Sequence, residues 1–300
     1  MTRRRITLRQ LETFAEVARC MSFSVAAEKL HLTQPAVSIQ IKHIAEAIGL
    51  PVFEQTGREI ALTAAGQELL ATVRDLDDAW NRFESAIADL KGFKRGKLRV
   101  ALVTTAKHFL PRMLGQFYQR YPDIEIELEI ANREKIVERI RNNQDDLYVM
   151  SLPPRELDVV SYPFLENEFV VLAPETHWAV GQRLQLGDLA AEPFLLREPG
   201  SGTRHVIDDY LRMSGLELKV RLSLSSNEAI RDLVASGMGL TVLSRQALAE
   251  KAEQLGLVEL DVVDFPLRRT WSVVHLRSKL LSLPAKAFLG ELLKSGEEQR

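Results

Sequence analysis

Three stretches of the chain set hydroxyls, and in two cases a cation, at what read as helix starts. They are Thr104-Thr105-Ala106-Lys107, Glu198-Pro199-Gly200-Ser201-Gly202-Thr203-Arg204 and Ser225-Ser226-Asn227-Glu228, each following a strand-like apolar run. The opening turn of a helix leaves backbone N–H groups without intrahelical acceptors, and glycine lets a ligand come close to them. Hydroxyls add directional donors, and Lys107 and Arg204 add charge. The chemistry suited to this is reversible capture of a small anion. Serine and threonine also cap helices with no ligand present, so each stretch alone says little. Together they favour one anion pocket lined by Thr104, Thr105, Lys107, Ser201, Gly202, Thr203, Arg204 and Asn227.

Bond-making chemistry finds no comparable support. The single cysteine, Cys20, cannot form an internal disulfide, and the six histidines show no metal-ligand spacing. No Gly-x-Ser-x-Gly elbow or phosphate-binding P-loop occurs, and Gly200-Ser201-Gly202 lacks the rest of a dinucleotide fingerprint. No catalytic residue, metal or cofactor is expected.

A second kind of recognition is written into Ser22 to Ile48. Ser24 can cap one short helix, with Val25, Ala26 and Leu30 as its apolar face. Thr33 can cap the next, with Pro35 in its first turn, where a missing N–H costs nothing. Val37, Ile41, Ile44 and Ile48 then recur as a stripe to be buried, which leaves Gln34, Pro35, Ser38, Ile39 and Lys42 on the other side. Such a helix, braced by a second, suits a DNA major groove, and it equally suits any compact helical hairpin. A preceding helix, Leu8 to Ala18, turns Leu8, Leu11, Phe14, Ala15 and Ala18 inward. Gly49 ends the recognition helix. A hairpin then runs from Val52-Phe53-Glu54 through a turn at Thr56-Gly57 to Ile60-Ala61-Leu62, and it puts Arg58 at its tip, within reach of phosphate or the minor groove.

Further elements must hold these groups in place. Thr63 can cap a long helix over residues 64–91. Leu69, Val73, Leu76, Trp80, Phe83, Ile87 and Leu90 follow heptad spacing along it, a seam that asks for a second copy of the chain. Residues 92–97 form a basic, glycine-flanked hinge. Beyond it, strand-like and helix-like segments alternate to the end of the chain, which predicts mostly parallel, helix-covered sheets with any ligand at the strand carboxyl ends.

The net charge of −2 does not mark a nucleic-acid binder, and residues 1–62 hold eight Lys/Arg against six Asp/Glu, so attraction to DNA must come from placement and from pairing of copies. The basic start is not followed by a continuous apolar core, and no run is long enough to span a membrane, so a cytoplasmic location without membrane contact is expected.

Leu11, Phe14, Ser22-Phe23, Ala26-Ala27, Leu30, Thr33-Gln34-Pro35-Ala36-Val37-Ser38, Gln40-Ile41, Gly49, Phe53, Arg58, Leu62-Thr63 and Ala65-Gly66 together resemble the N-terminal part of LysR-type transcriptional regulators. The resemblance implies a winged helix-turn-helix over residues 1–63 and a dimerising linker helix over 64–92. A two-lobed, periplasmic-binding-protein-like α/β effector domain follows over 93–300. Its first lobe would take residues 97–163 and 268–300 and its second 166–265, with crossings near Pro163–Glu166 and Phe265–Arg268. Thr33, Gln34, Pro35, Ser38, Ile39, Lys42 and Arg58 become the DNA-contacting set. Promoter DNA, a small anionic metabolite and further copies of the chain, as homodimer or homotetramer, become the partners, with RNA polymerase left open.

Asp145-Asp146-Leu147-Tyr148-Val149-Met150, Arg197 to Arg204, Ser226 to Ile230 and Thr104 to Lys107 look most like the regulators of carbon-dioxide-fixation operons. Ile39 stands where many family members carry arginine, and Gln55 replaces a common wing arginine; both departures remove positive charge, so the phosphate contacts of those positions do not carry over with the resemblance. The alternatives are a regulator of another metabolic operon or a solute-binding protein.

Overall fold

The computed structural model describes residues 6–56, 59–90, 95–248 and 252–297. They form two compact units, residues 1–83 and 84–300.

The first unit opens with α1 (Leu8–Cys20), where Thr7 and Gln10 cap each other reciprocally. Helices α2 (Phe23–Lys29) and α3 (Gln34–Ile48) follow. The cap of α2 is Ser22, whose hydroxyl accepts from Val25 N–H, and not Ser24; Ser22 alone has the extended backbone that a cap requires. Thr33 caps α3 through Ala36 N–H, and Gly49 ends it at φ 82°, where other residues are strained. Phe14, Val17, Ala26, Ala27, Val37, Ile41, Ile44 and Val52 form the core. Full burial of each larger aliphatic side chain contributes about 1.5–3 kcal/mol. Leu8, Val25 and Ile48, expected inside, are exposed, because each sits at or near a helix end beyond the reach of this small core.

Strands β1 (Phe53–Thr56) and β2 (Glu59–Leu62) pair antiparallel as the expected hairpin. The long helix α4 (Ala64–Leu90) comes next, with Thr63 Oγ1 accepting from Gly66 N–H at 3.0 Å. Gly66 is required here, since a Cβ would stand 2.0 Å from the Val52 carbonyl oxygen.

The second unit has two lobes. In the first, β3 (Gly96–Val103) pairs in parallel with β4 (Ile124–Ala131) and β5 (Leu147–Met150). Helices α5 (Leu110–Arg120) and α6 (Arg133–Arg141) connect them. Asp145 receives a two-pronged contact from Arg139 at 2.9 and 2.8 Å, and Asp146 accepts from Arg99 N–H, so the two acids pin α6 and β3 to the start of β5.

Strand β6 (Val159–Pro174) then leaves the first lobe and enters the second. The second lobe contains β7 (Arg183–Leu184), β8 (Pro193–Arg197), α7 (Gly202–Ser214) and β9 (Lys219–Leu224). It continues through α8 (Asn227–Ala235), β10 (Thr241–Ser244), β11 (Leu257–Glu259) and β12 (Asp261–Val262). Strand β13 (Leu267–Leu276) returns to the first lobe, and α9 (Leu283–Glu297) packs there on β3 and β6.

The main sheet has the order β10-β6-β13-β5-β3-β4, with β11 also on β6. It is mixed rather than mostly parallel. Because β6 carries the chain out and β13 brings it back, those two strands must run antiparallel, and β5, β10 and β11 join them antiparallel as well. Phe164, Trp271, Val273 and Val274 lie in the first-lobe core. Phe169, Val171 and Leu267 lie in a second-lobe core, and Val170 and Leu172 in another on the opposite face of β6.

Candidate functional site

Helix α3 presents Gln34, Pro35, Ile39 and Lys42 to solvent, with Ser38 half-buried between them. Gln34 Nε2 donates to Ser38 Oγ at 3.0 Å, so part of this face is ordered before anything binds. Lys42 lies 3.8 Å from Glu46; both are well exposed, and the pair holds the lysine only weakly. Arg58 lies outside the described residues. Not foreseen was the brace behind α3. Buried Thr13 on α1 donates to Gln40 Oε1 at 2.7 Å and fixes the rotation of α3 on its own core. A hydroxyl within the apolar face of α1 was the available signal.

The heptad seam of α4 is divided. Val73 is buried and Leu69 half-buried against the core of the first unit, so these two do not await a partner. Leu76, Trp80, Phe83 and Leu90 are exposed, and Ile87 is half-buried. Leu76 and Trp80 join Leu8 and Leu11 around a groove of about 430 Å³. The exposed Leu8 therefore belongs to an open apolar surface continuous with the linker helix.

In the second unit the three hydroxyl-bearing stretches meet at a residue that the sequence did not single out for a site. Arg197, the last residue of β8, is 1% exposed. Its Nη1 donates to Asn227 Oδ1 at 2.6 Å and its Nη2 to Thr104 Oγ1 at 3.2 Å. Its Nε and Nη2 reach the two oxygens of Glu198 at 2.9 and 3.1 Å. Arg204 Nη1 donates to the Arg197 carbonyl, while its Nε pairs with Asp208. The guanidinium thus joins the turn after β3, in the first lobe, to the start of α8, in the second, while the Arg197 carbonyl takes the Arg204 side chain of α7. Asn227 Nδ2 is buried there with no hydrogen-bond partner. Thr105 and Thr203 are buried, and Ser201, also buried, caps α7 through Arg204 N–H. Gly202 opens α7. Ser201 and Arg204 also face Arg133, Glu134 and Arg141 of α6 across an inter-lobe cleft of about 670 Å³.

Lys107 is engaged by the protein itself. It lies in a 3₁₀ turn over Thr104–His108, with Nζ 2.8 Å from Glu228 Oε1 on α8. Burial would raise the Glu228 carboxyl. The contacts from Lys107, its own backbone N–H and Ser226 outweigh it and hold the group at about 2. His108 Nε2 lies 3.7 Å from the same carboxylate. Burial nevertheless keeps His108 below its ordinary 6.5, with Lys107 and Arg231 opposing protonation as well. Among the described residues no His/Cys/Asp/Glu group could hold a metal, and no helix is long and apolar enough to cross a membrane.

The family model for "Bacterial regulatory helix-turn-helix protein, lysR family" matches residues 8–67, and that for "LysR substrate binding domain" matches residues 91–297. The chain belongs to the LysR family. It is a transcription regulator, as expected, with a helix-turn-helix part and a two-lobed effector-binding part. This LysR-type regulator is 44% identical to the HTH-type transcriptional activator CmpR of Synechocystis sp. over 97% of its own length and 96% of that protein's. It is 43% identical to the RuBisCO operon transcriptional regulator of Acidithiobacillus ferrooxidans over 99% of its length and 97% of the relative's. The solved Synechocystis CcmR regulatory domain, in complex with 2-PG, is 42% identical and superposes with a TM-score of 0.65, covering 67% of this chain and 97% of that domain.

Proposed function

We propose that this regulator acts in the cytoplasm on promoters of carbon-fixation genes. It would work as a homo-oligomer switched by a small anionic metabolite such as 2-PG held between the lobes. Residues 1–63 read DNA, 64–92 pair copies, and 93–300 sense the effector, with Thr104, Thr105, Ser201, Gly202, Thr203, Arg204 and Asn227 around the pocket and Lys107 at its edge. The observation that carries this reading is the meeting of all three hydroxyl-bearing stretches at one buried arginine across the two lobes.

Gln34, Pro35, Ser38 and Ile39 face base edges, Thr33 sets the start of the reading helix, and Lys42 and Arg58 serve phosphate or the minor groove. Pairing of copies is supported by the open seam at Leu76, Trp80 and Phe83. It is supported again by two edge strands of opposite charge. β4 exposes Glu125, Glu127 and Glu129, and β9 exposes Lys219 and Arg221.

The test is a footprint and mobility-shift titration on the upstream promoter region with and without 2-PG. Thr104→Val and Thr203→Val remove hydroxyls while keeping side-chain shape. Both variants are expected to weaken the 2-PG response and to leave effector-free promoter binding intact. Full response in both would move the pocket elsewhere, and loss of effector-free binding would end the separation of roles.

A further inference from the structure

Glu198 holds Arg197 by the edge that a phosphate or carboxylate takes. Its two oxygens lie 2.9 Å from Nε and 3.1 Å from Nη2, a fork geometry that matches a bound oxyanion. The two groups differ in access. The Arg197 side chain is 1% exposed, whereas Glu198 keeps 21% of its side chain in solvent. Around the same guanidinium stand Thr104 Oγ1 and an Asn227 amide whose Nδ2 is buried without a hydrogen-bond partner. A buried amide donor left unpaired costs free energy, and an acceptor arriving from outside would recover it.

We propose that Glu198 is a built-in surrogate for the effector's anionic group, and that binding is an exchange in which an incoming oxyanion displaces the Glu198 carboxylate from Arg197. This rests on the inter-lobe effector site proposed above and names how it is gated. The carboxylate holds the arginine neutralised while the site is empty and rejects uncharged solutes, since only an anion replaces what Arg197 gives up. A tetrahedral oxyanion gains most, because beyond the two acceptors that the Nε–Nη2 edge takes it keeps further oxygens for neighbouring donors. Displaced Glu198 swings into water, and the loop at Pro199–Ser201, which leads into α7, follows it. The exchange therefore couples ligand charge to the second-lobe face of the cleft.

The test is calorimetric titration of the full-length protein with inorganic phosphate in chloride buffer. Glu198→Gln keeps shape and removes the competing charge, and phosphate affinity is expected to rise roughly tenfold over the parent. The double variant Arg197→Gln/Glu198→Gln removes the guanidinium without leaving a charged orphan; it is expected to lose phosphate binding while circular dichroism and a cooperative thermal transition show that it still folds. An equal or lower phosphate affinity in Glu198→Gln overturns the exchange, as does phosphate binding that survives in the double variant. In either case the 2-PG footprint of the parent still judges the proposed function independently.

Discussion

Lys107 Nζ and Glu228 Oε1 stand 2.8 Å apart and tie the turn after β3 to the first turn of α8, one lobe to the other. The charge that the sequence offered for an effector is thereby committed to the protein itself. Both side chains are about one-third exposed, 34% and 38%, so solvent screens the pair. Lys107→Gln is expected to cost no more than about 1 kcal/mol in denaturant unfolding at pH 7. A carboxyl held low in the folded state stabilises fully above its ordinary 4.5 and loses that contribution as pH falls toward about 2. The difference between parent and Lys107→Gln should therefore shrink across that window, and a difference that grows on acidification would contradict the pairing.

His108 gives a second, separate pH window. Burial keeps its imidazole neutral below the ordinary 6.5, so the unfolded chain takes up the proton first. Its contribution is complete above 6.5 and is lost as pH drops below that value. His108→Asn should flatten the stability profile as pH falls below 6.5, measured by urea midpoints at constant ionic strength. An unchanged slope would assign it to other groups.

The open part of the linker seam predicts an assembly defect that leaves folding intact. Leu76→Asp with Phe83→Asp places charge where a partner's apolar surface should lie, at several kcal/mol for each unpaired buried charge. Sedimentation should then show a smaller species with parental circular dichroism, and promoter affinity should collapse. Val73→Asp is the contrasting change. It strikes the core of the first unit itself and should lower the thermal midpoint whatever the state of assembly.

On the DNA face, Lys42→Ala should weaken binding to all sequences alike and make the salt slope shallower by about one unit. Ile39→Ala should instead relax preference at one or two base positions, because an apolar side chain reads thymine methyls and carries no charge. Selection of binding sites from a random pool separates the two, and identical preferences for parent and Ile39→Ala would take Ile39 off the base edges.

What the sequence revealed follows from how local the determinants are. The caps at Thr33 and Gly49 and the stripe Val37–Ile41–Ile44 depend on near neighbours along the chain, and each is found where its pattern pointed. The course of β6 through Pro163 is not a local matter: proline disfavours a strand interior, and here it is accommodated beside a bulge, where Phe164 has no partner opposite. Ser22 was passed over for Ser24 because both have a hydroxyl, and only backbone conformation separates them. Arg197 enters the sequence reading only as the first residue of the stretch Arg197 to Arg204. Its importance lies in contacts to Thr104 and Asn227, distant in the chain, and no periodicity encodes those.

The paired strands β6 and β13 run through both lobes as one hydrogen-bonded ribbon, with a bulge at Phe164 near the crossing. A ribbon of this kind resists being pulled apart and yields to torsion about its long axis, because its ladder bonds lie across that axis. Twist about this ribbon is therefore softer than separation of its two strands. A metabolite held between the lobes, as proposed, would act as a wrench on a torsion bar, and the rest of the assembly would receive its binding as twist.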